Sequence, residues 1–475
     1  MTKLYTNKMK YLLILASLFF CFSASAQYDI KFKIKNYEND TVIVGHYYAD
    51  KQLVHDTILA TKQGEFEMKG TDTLDRGVYF LLTLPSKDYI QFFVNGIDNE
   101  FEAEWDLKKR GVVNFKGSKD NQLFQEYVRF LAEKRPEADK YNAKLVEADS
   151  LGVEDEEALA KLDEIEAEVL KYQSDMVDKM PESISARFIT ASNSPKVPEF
   201  ENVEDKQFAR YYYMRNHYFD NIDLGDPVNL RTPFIHNRVN FYMERVTPKD
   251  PDSTIRSVDF ILEKMEPSPD TYKYYLSYFL NQYAQMKLVG YDKVYVHLVD
   301  NYYAKGKADW ISAETLLKMK EQADNIRNIL IGMKFPDITT YKKDGTAVRI
   351  HEVESPYTIV LFWAHDCGHC TKSMPDIVSF FDEYESKGVK IVSICTKGQK
   401  KMIPCQEAIP KKNMEKFINT FDEYQRYRKK IYIRSTPKIF ILDEDKNILI
   451  KDIPAKELKN IMPEIIKMNE GQRKS

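Results

Sequence analysis

The chain has 475 residues, of which 43% are hydrophobic and 30% charged, and its formal net charge is −4. A chain of this length exceeds one hydrophobic core, so we expect roughly two to four domains, and its composition is typical of globular rather than disordered proteins. The small net charge disfavours nucleic acid or an anionic membrane as the main partner.

The N-terminus has the layout of a cleavable secretory signal. Three lysines precede an apolar run over residues 11–22, and small residues at 24–26 precede Gln27. The run is too short to span a bilayer comfortably, and no later stretch is longer. We therefore expect residues 1–26 to be removed on export to the periplasm, without stable membrane insertion. A lipid anchor on Cys21 is disfavoured, because Phe20 stands where lipoprotein signals carry a small residue.

Two upstream domains are predicted. Residues 27–116 alternate apolar and polar side chains in short runs between glycines, which predicts an antiparallel β-sandwich. Residues 117–332 carry apolar residues at helical spacing and predict an all-helical domain, whose first helix is capped by Ser118 and begins near Asn121. Its aromatic cluster, Tyr211–Tyr213 with Tyr218 and Phe219, is expected to pack helix against helix rather than to bind a partner. The further helical segments are predicted at 154–180, 203–219, 232–246, 253–265, 271–288, 291–303 and 312–330.

Residues 333–475 have an α/β pattern. Residues 357–362 form a continuous apolar run of the kind buried in a parallel sheet, and a cysteine pair follows it at the start of a predicted helix. The predicted helices are 370–386, ended by Gly388, then 415–427 and 458–468. The predicted strands are 357–362, 389–395, 438–442 and 448–451.

The mature chain keeps four cysteines, which are too few to stabilise a fold of this length by cross-linking. The close pair Cys367 and Cys370 is therefore expected to do chemistry. Cys395 either packs as a small apolar residue or forms a disulfide with Cys405, and the sequence leaves both possibilities open. Four-cysteine zinc binding is disfavoured by the spacing of this second pair, and c-type haem by Thr371 after Cys370, so no metal or cofactor is expected.

The tetrapeptide Cys367-Gly368-His369-Cys370 suits thiol–disulfide exchange. A cysteine at a helix start gains an accessible thiolate, because unpaired backbone N–H groups and the helix dipole favour negative charge there. Cys367 is thus the expected nucleophile and Cys370 the resolving thiol. His369 can be cationic and favour the thiolate, and Gly368 is expected to permit the tight turn without obstructing a substrate.

Residues 360–370, which include Trp363, resemble the signature of the thioredoxin superfamily. Phe335-Pro336-Asp337 and Ser373-Met374-Pro375 are similar to its TlpA/ResA-like envelope branch, and Cys-Gly-His-Cys is also the tetrapeptide of protein disulfide isomerases. The resemblance covers residues 333–475. It implies that Pro437 is a cis-proline facing the dithiol and that the Thr436 backbone pairs with bound substrate. The upstream regions resemble uncharacterised domains that precede thioredoxin modules in envelope proteins.

Two positions depart from that pattern. Thioredoxins carry a buried acid where this chain has Leu361, and ResA-like proteins carry a glutamate where it has Ser373. The usual proton acceptor for the resolving thiol is absent at both positions, so Asp366, His365 or water is expected to replace it. Asp366, beside Cys367, would by itself raise the pKa of the thiol.

The sequence therefore predicts an envelope thiol–disulfide oxidoreductase, acting as a reductase on protein disulfides and supplied by an upstream electron donor. An isomerase or oxidant is the alternative within enzymes, because a histidine between the cysteines stabilises the reduced form. The alternative from another class is a non-catalytic envelope binding protein that uses the thioredoxin domain as a scaffold.

Overall fold

The computed structural model describes residues 27–109, 111–201, 205–399, 402–431, 433 and 435–474. The predicted signal at 1–26, with Cys21, lies outside the described residues. The described chain forms two compact units, one of residues 27–247 with 263–272 and one of residues 248–262 with 273–474.

The first unit begins with eight strands that form two four-stranded sheets, ordered β4-β1-β7-β8 and β3-β2-β5-β6. Apolar residues alternate along these strands and fill the space between the two sheets, as the period of two requires. The strands are β1 (Tyr28–Lys35), β2 (Thr41–Tyr48), β3 (Lys51–Leu59), β4 (Glu65–Gly70), β5 (Gly77–Thr83), β6 (Tyr89–Val94), β7 (Glu100–Asp106) and β8 (Val113–Lys116).

The predicted β-rich region is confirmed, with one difference in strand direction. The described pairs are antiparallel except β1 and β7, which run parallel. The chain passes through the other sheet before it returns as β7, so no hairpin turn sets the direction of β7 relative to β1.

The helical part of the first unit follows directly. Ser118 is the N-cap of the first helix and accepts from the Asn121 backbone N–H, as predicted. Tyr218 and Phe219 are buried as expected, but Tyr211 and Tyr212 are 36% and 41% exposed. The helices are α1 (Lys119–Ser150), α2 (Glu156–Lys179), α3 (Ile184–Ser192), α4 (Lys206–His217) and α5 (Phe234–Phe241).

The predicted helical pattern continues to residue 327 in α6 (Pro251–Met265), α7 (Pro269–Gln285), α8 (Asp292–Leu298) and α9 (Ala313–Arg327). A seven-stranded sheet of order β10-β9-β13-β12-β11-β14-β15 then follows within the second unit. Its strands are β9 (Thr339–Tyr341), β10 (Ala347–Arg349), β11 (Tyr357–Trp363), β12 (Val389–Cys395), β13 (Ile418–Phe421), β14 (Lys438–Leu442) and β15 (Ile448–Lys451).

Strand β11 lies at the centre of this sheet and is buried along its whole length, because both faces are covered. One face packs against the helices α10 (Gly368–Tyr384), α11 (Met402–Lys411) and α12 (Leu458–Lys474). Aromatic and aliphatic residues from 329–353 and 427–431 cover the other face. Strands β11, β12 and β13 run parallel, and β14 and β15 continue the sheet antiparallel.

One element prediction in this region is wrong. The segment 415–427, predicted as a helix, contains the short strand β13 and a 3-10 turn at Arg426–Lys429. Pairing with β12 decides the conformation, since Ile418 lies opposite Val392 and the Thr420 hydroxyl donates to the Ser393 carbonyl. The helix of this region comes earlier, as α11.

Candidate active site

Strand β11 leads the chain directly to the cysteine pair. Four residues after Trp363, the last residue of β11, Cys367 forms the N-cap of α10. The Cys370 backbone N–H donates to Cys367 Sγ over 3.1 Å. The first sulfur therefore lies at the positive end of a helix, beside backbone N–H groups without an intrahelical acceptor, and this arrangement favours a thiolate.

The two sulfurs of the motif have different environments. Both are free thiols, with Cys367 half-buried and Cys370 buried. Partial burial acts to raise the pKa of Cys367, but hydrogen bonds from the Cys370 thiol, the Thr436 side chain and the Cys370 and His369 backbone N–H groups outweigh it and hold that pKa below its ordinary value. Burial, together with the hydrogen bond and charge of Cys367, raises the pKa of Cys370 to about 12. Cys367 therefore ionises more readily than Cys370.

The turn at Thr436 and Pro437 faces the first sulfur. The peptide bond between these residues is cis. The Cys367 thiol donates to the Thr436 carbonyl oxygen over 3.2 Å, although the two residues are 69 positions apart. The pairing of β11 with β14 brings them together, because the dithiol follows one strand and the turn precedes the other.

Gly368 and His369 are exposed between the two cysteines. A Cβ atom on Gly368 would meet nothing within 4 Å, and the φ angle of this glycine is not in the left-handed region. The backbone conformation of the turn therefore does not by itself require glycine. The absence of a side chain leaves the surface beside Cys367 open.

Trp363 connects the dithiol strand to the loop that follows β12. Its side chain is buried, and its indole Nε1–H has no acceptor among the residues that the structure describes. Its carbonyl oxygen accepts from the Thr396 backbone N–H over 2.8 Å and from the Thr396 hydroxyl over 3.2 Å. Trp363 thus holds the ends of the two central strands together.

Neither of the two positions that depart from the thioredoxin and ResA patterns carries an acidic side chain. Leu361 is completely buried in the apolar cluster that also contains Cys370, and Ser373 is half-buried on α10. Of the expected replacements, Asp366 forms an ion pair with Lys397 over 2.8 Å, and His365 Nδ1 lies 3.7 Å from Cys405 Sγ. Both side chains therefore have their own partners.

Cys395 and Cys405 form a disulfide, with Cα atoms 6.5 Å apart. Cys395 ends β12 and Cys405 lies on α11, and both are fully buried. The alternative left open by the sequence is thus resolved in favour of the bridge. The bond uses the two sulfurs that a four-cysteine zinc site would need.

Lys397 is not among the site residues that the sequence predicts. No local pattern pairs this residue with Asp366, which is 31 positions earlier. The available signal is the parallel register, in which Trp363 lies opposite Cys395, so that residues just beyond both strands meet at the same edge of the sheet.

No helix among the described residues is long and apolar enough to cross a membrane.

Comparisons with family models divide the chain into three regions. Residues 330–461 match the Redoxin family. Residues 28–124 and 164–328 match two different families, each described as a domain of unknown function (DUF4369 and DUF5106).

One curated relative is the "Sporulation thiol-disulfide oxidoreductase A" of Bacillus subtilis, which is 30% identical over 105 residues. The match covers 22% of this chain and 64% of the relative's length. A crystal structure of a thioredoxin-like protein from Bacteroides caccae is 14% identical, with a TM-score of 0.44, over 57% of this chain and 98% of that one. A structure of a putative thiol:disulfide interchange protein DsbE from Chlorobium tepidum is 20% identical, with a TM-score of 0.26, over 28% of this chain and 96% of that one.

The Redoxin match coincides with the sheet and helices that hold the cysteine pair, and the curated relative is a thiol–disulfide oxidoreductase. Residues 330–461 are therefore similar to the Redoxin family, the chain shares 30% identity over 105 residues with a thiol–disulfide oxidoreductase, and its upstream regions match domains of unknown function.

Proposed function

We propose that this protein reduces protein disulfides in the periplasm through Cys367 and Cys370. The observation that carries the proposal is the asymmetry of the dithiol. Cys367 is partly accessible at a helix N-terminus with a pKa below its ordinary value, and Cys370 is buried with its pKa raised to about 12. Exchange requires one sulfur that attacks as a thiolate and a second sulfur that remains a thiol until the mixed disulfide has formed.

The reaction proceeds by two displacements. The Cys367 thiolate attacks one sulfur of a substrate disulfide, forms a mixed disulfide and releases the other substrate sulfur as a thiolate that takes up a proton. Cys370 then loses its proton and attacks Cys367 Sγ. This releases the second substrate sulfur and leaves a Cys367–Cys370 disulfide. Two electrons pass to the substrate, and an upstream donor must return two to the enzyme.

The environment of Cys370 accounts for the order of the two displacements in the proposed reaction. Burial is the main cause of its raised pKa, and the hydrogen bond and charge of Cys367 add to it. Once Cys367 is in a mixed disulfide it carries no charge, so these two contributions end and Cys370 ionises more easily. Because Asp366 is held by Lys397, we propose that water or the departing substrate thiolate accepts the proton.

The proposed location rests on two supports. The first is the predicted secretory signal at residues 1–26. The second is the Cys395–Cys405 disulfide, which is typical of proteins exported to an oxidising compartment. The proposed partners are accordingly protein thiols and disulfides of the envelope.

The direction of electron flow is a separate part of the proposal. His369 is exposed within the motif and, when cationic, stabilises the reduced dithiol, which favours an oxidant or isomerase. A reduction potential near that of thioredoxin, roughly −270 mV, is expected for a reductase, whereas one near −120 mV would instead indicate an oxidant.

The decisive experiment traps the mixed disulfide. The Cys370→Ala variant should accumulate covalent adducts with envelope proteins through Cys367, because it can begin the exchange but cannot complete it. Adducts are detected on non-reducing gels and identified by mass spectrometry, and reductant should dissolve them. The Cys367→Ala variant is the matched control and should form none, because Cys370 is fully buried.

Two results would contradict the proposal. If Cys370→Ala forms no adducts while the wild-type protein reduces insulin, the order of the two cysteines is wrong. If the wild-type protein reacts with no thiol partner and reduces no insulin disulfide, the domain is a scaffold and the upstream domains carry the function.

A further inference from the structure

The residue that precedes the proposed nucleophile in the chain is acidic. Asp366 precedes Cys367 in the chain, and its side chain is 53% exposed. A carboxylate at this position opposes ionisation of the neighbouring thiol and therefore opposes thiol–disulfide exchange. The helix N-terminus alone does not remove this conflict, because the same N-terminus favours both negative groups.

Lys397 provides the opposing charge from another element. Its Nζ atom lies 2.8 Å from Asp366 Oδ2, and its side chain is 28% exposed, so the pair is partly shielded on the lysine side. The hydrogen bond with Lys397 outweighs the effect of partial burial and holds the pKa of Asp366 below its ordinary value. Asp366 is thus favoured in its ionised form, and its charge is balanced by the Lys397 ammonium group.

The backbone that carries Lys397 is held at several points. The Lys397 backbone N–H donates to Cys395 Sγ over 3.4 Å, and that sulfur is bonded to Cys405 on α11. The preceding residue, Thr396, is hydrogen-bonded to Trp363 and accepts from Gln425 Nε2 over 2.6 Å. The backbone of Lys397 is therefore held in place beside the end of β11. Although the side chain is flexible, its ammonium group stays within reach of Asp366.

We propose that Lys397 is a positioning residue for the dithiol: it balances the charge of Asp366 and thereby allows Cys367 to react as a thiolate at neutral pH. The inference rests on the proposed role of Cys367 as the nucleophile. It assigns to Lys397 the balancing of a charge that sits beside the reactive sulfur, with no contact to the substrate.

Other titratable groups surround the same sulfur, and the test must separate them from Lys397. On the segment of Cys367 itself these are His365, Asp366 and His369, and on α10 the buried Cys370. From the end of α11, Lys412 donates to the Thr371 hydroxyl over 2.7 Å. Of these groups, Asp366 is the one that Lys397 contacts directly, so neutralising Asp366 should reverse the effect of neutralising Lys397.

The experiment measures the rate of Cys367 alkylation by iodoacetamide against pH in the reduced, full-length mature protein. Lys397→Met should raise the apparent pKa of Cys367 by about half a pH unit and slow alkylation about threefold below that pKa, the size expected for a partly exposed ion pair. Lys397→Arg keeps the charge and should restore the wild-type profile. Asp366→Asn should shift the profile the opposite way, and the double variant Asp366→Asn/Lys397→Met should return close to wild type.

The pair Lys416 and Asp382 provides the matched control. It joins a lysine to an acid of the same helix α10 over 2.8 Å, but at the fourth turn, away from the dithiol. Lys416→Met should leave the alkylation profile unchanged. The reduction potential of Lys397→Met should also fall, because the reduced form loses thiolate stabilisation, and a purely structural role would not move either quantity in this pattern.

The outcomes distinguish this inference from the proposed function. If the wild-type Cys367 alkylates no faster than an ordinary thiol, the assignment of the nucleophile is wrong. If it alkylates fast and Lys397→Met has the wild-type profile while remaining folded, Lys397 has no such role. The same conclusion follows if Asp366→Asn does not reverse the effect of Lys397→Met in the double variant.

Discussion

Cys367 and Cys370 are separated by two residues but differ in ionisation because one caps a helix and the other lies inside its first turn. This difference could be predicted from the sequence, since each requirement is local: a buried strand, a cysteine where the strand ends, and a helix that begins at the next residue. Lys397 could not be predicted in this way. Its ion pair with Asp366 depends on the register of β11 against β12, which the spacing of hydrophobic residues does not specify.

His369 is the residue expected to set the reduction potential. It occupies the second helical position, where proline is tolerated, so His369→Pro should preserve the local fold while removing a possible cation and the backbone N–H that hydrogen-bonds Cys367. The dithiol potential should then fall, by an amount on the order of 10 mV because the side chain is exposed and screened. His369→Lys, which keeps a positive charge, should show a smaller fall.

Equilibration with glutathione or with a second thiol–disulfide couple measures this change. An unchanged or higher potential in His369→Pro would mean that the histidine does not influence the balance between the oxidised and reduced forms.

At the level of elements, buried strands and amphipathic helices could be predicted from the spacing of their hydrophobic residues. The secondary structure of the segment 396–427 could not be predicted in this way. Phe417 to Phe421 is a short run between charged residues, and its alternation is too brief to distinguish a strand from a helix. The decision comes from tertiary pairing with β12. The disulfide adds a second non-local constraint here, because Cys405 must reach the end of β12 from α11.

Removal of that disulfide should therefore loosen one element without unfolding the domain. The bond closes a loop between residues ten positions apart, and loop-entropy arguments give about 2–3 kcal/mol of stabilisation for such a loop. The double variant Cys395→Ala/Cys405→Ala should lose about this free energy of unfolding in urea.

Hydrogen exchange followed by mass spectrometry should locate the change. Exchange should increase over residues 396–414, while α12 serves as an internal control with unchanged protection. If residues 396–414 are as well protected in the double variant as in the wild type, packing alone holds α11.

At the level of the whole molecule, the order of a β-rich region, a helical region and an α/β region could be predicted, because each has its own hydrophobic period. The extent of the C-terminal unit could not be predicted in this way. Lys451, on β15, is 1% exposed and donates to the carboxylate of Asp292 on α8 and, over 2.6 Å, to the Ile329 carbonyl. These contacts join the sheet to residues that helical periodicity assigns elsewhere, and the predicted boundary at 332 remains a prediction.

A fragment of residues 332–475 should fold and keep dithiol activity, because all elements of the site lie within it. It should nevertheless be less stable than a fragment of residues 248–475, since Lys451 loses both of its acceptors. Lys451→Met should cost about 1–3 kcal/mol in the longer fragment, where it leaves Asp292 unpaired, and little or nothing in the shorter one. Urea unfolding of the four proteins measures these differences.

An equal cost of Lys451→Met in both fragments would show that the ion pair does not connect the sheet to the preceding helices. A folded but inactive 332–475 fragment would show instead that residues upstream complete the active site.

The second sulfur pair has a consequence for how the protein matures. The four cysteines that the structure describes are in two oxidation states at once, with Cys395 and Cys405 joined and Cys367 and Cys370 free. Under the proposed reductase role, a cell must withdraw two electrons from one pair during folding and supply two to the other pair in every catalytic cycle. Burial of both bridged cysteines is compatible with these two demands, because Cys367 is partly accessible and the bridge is not.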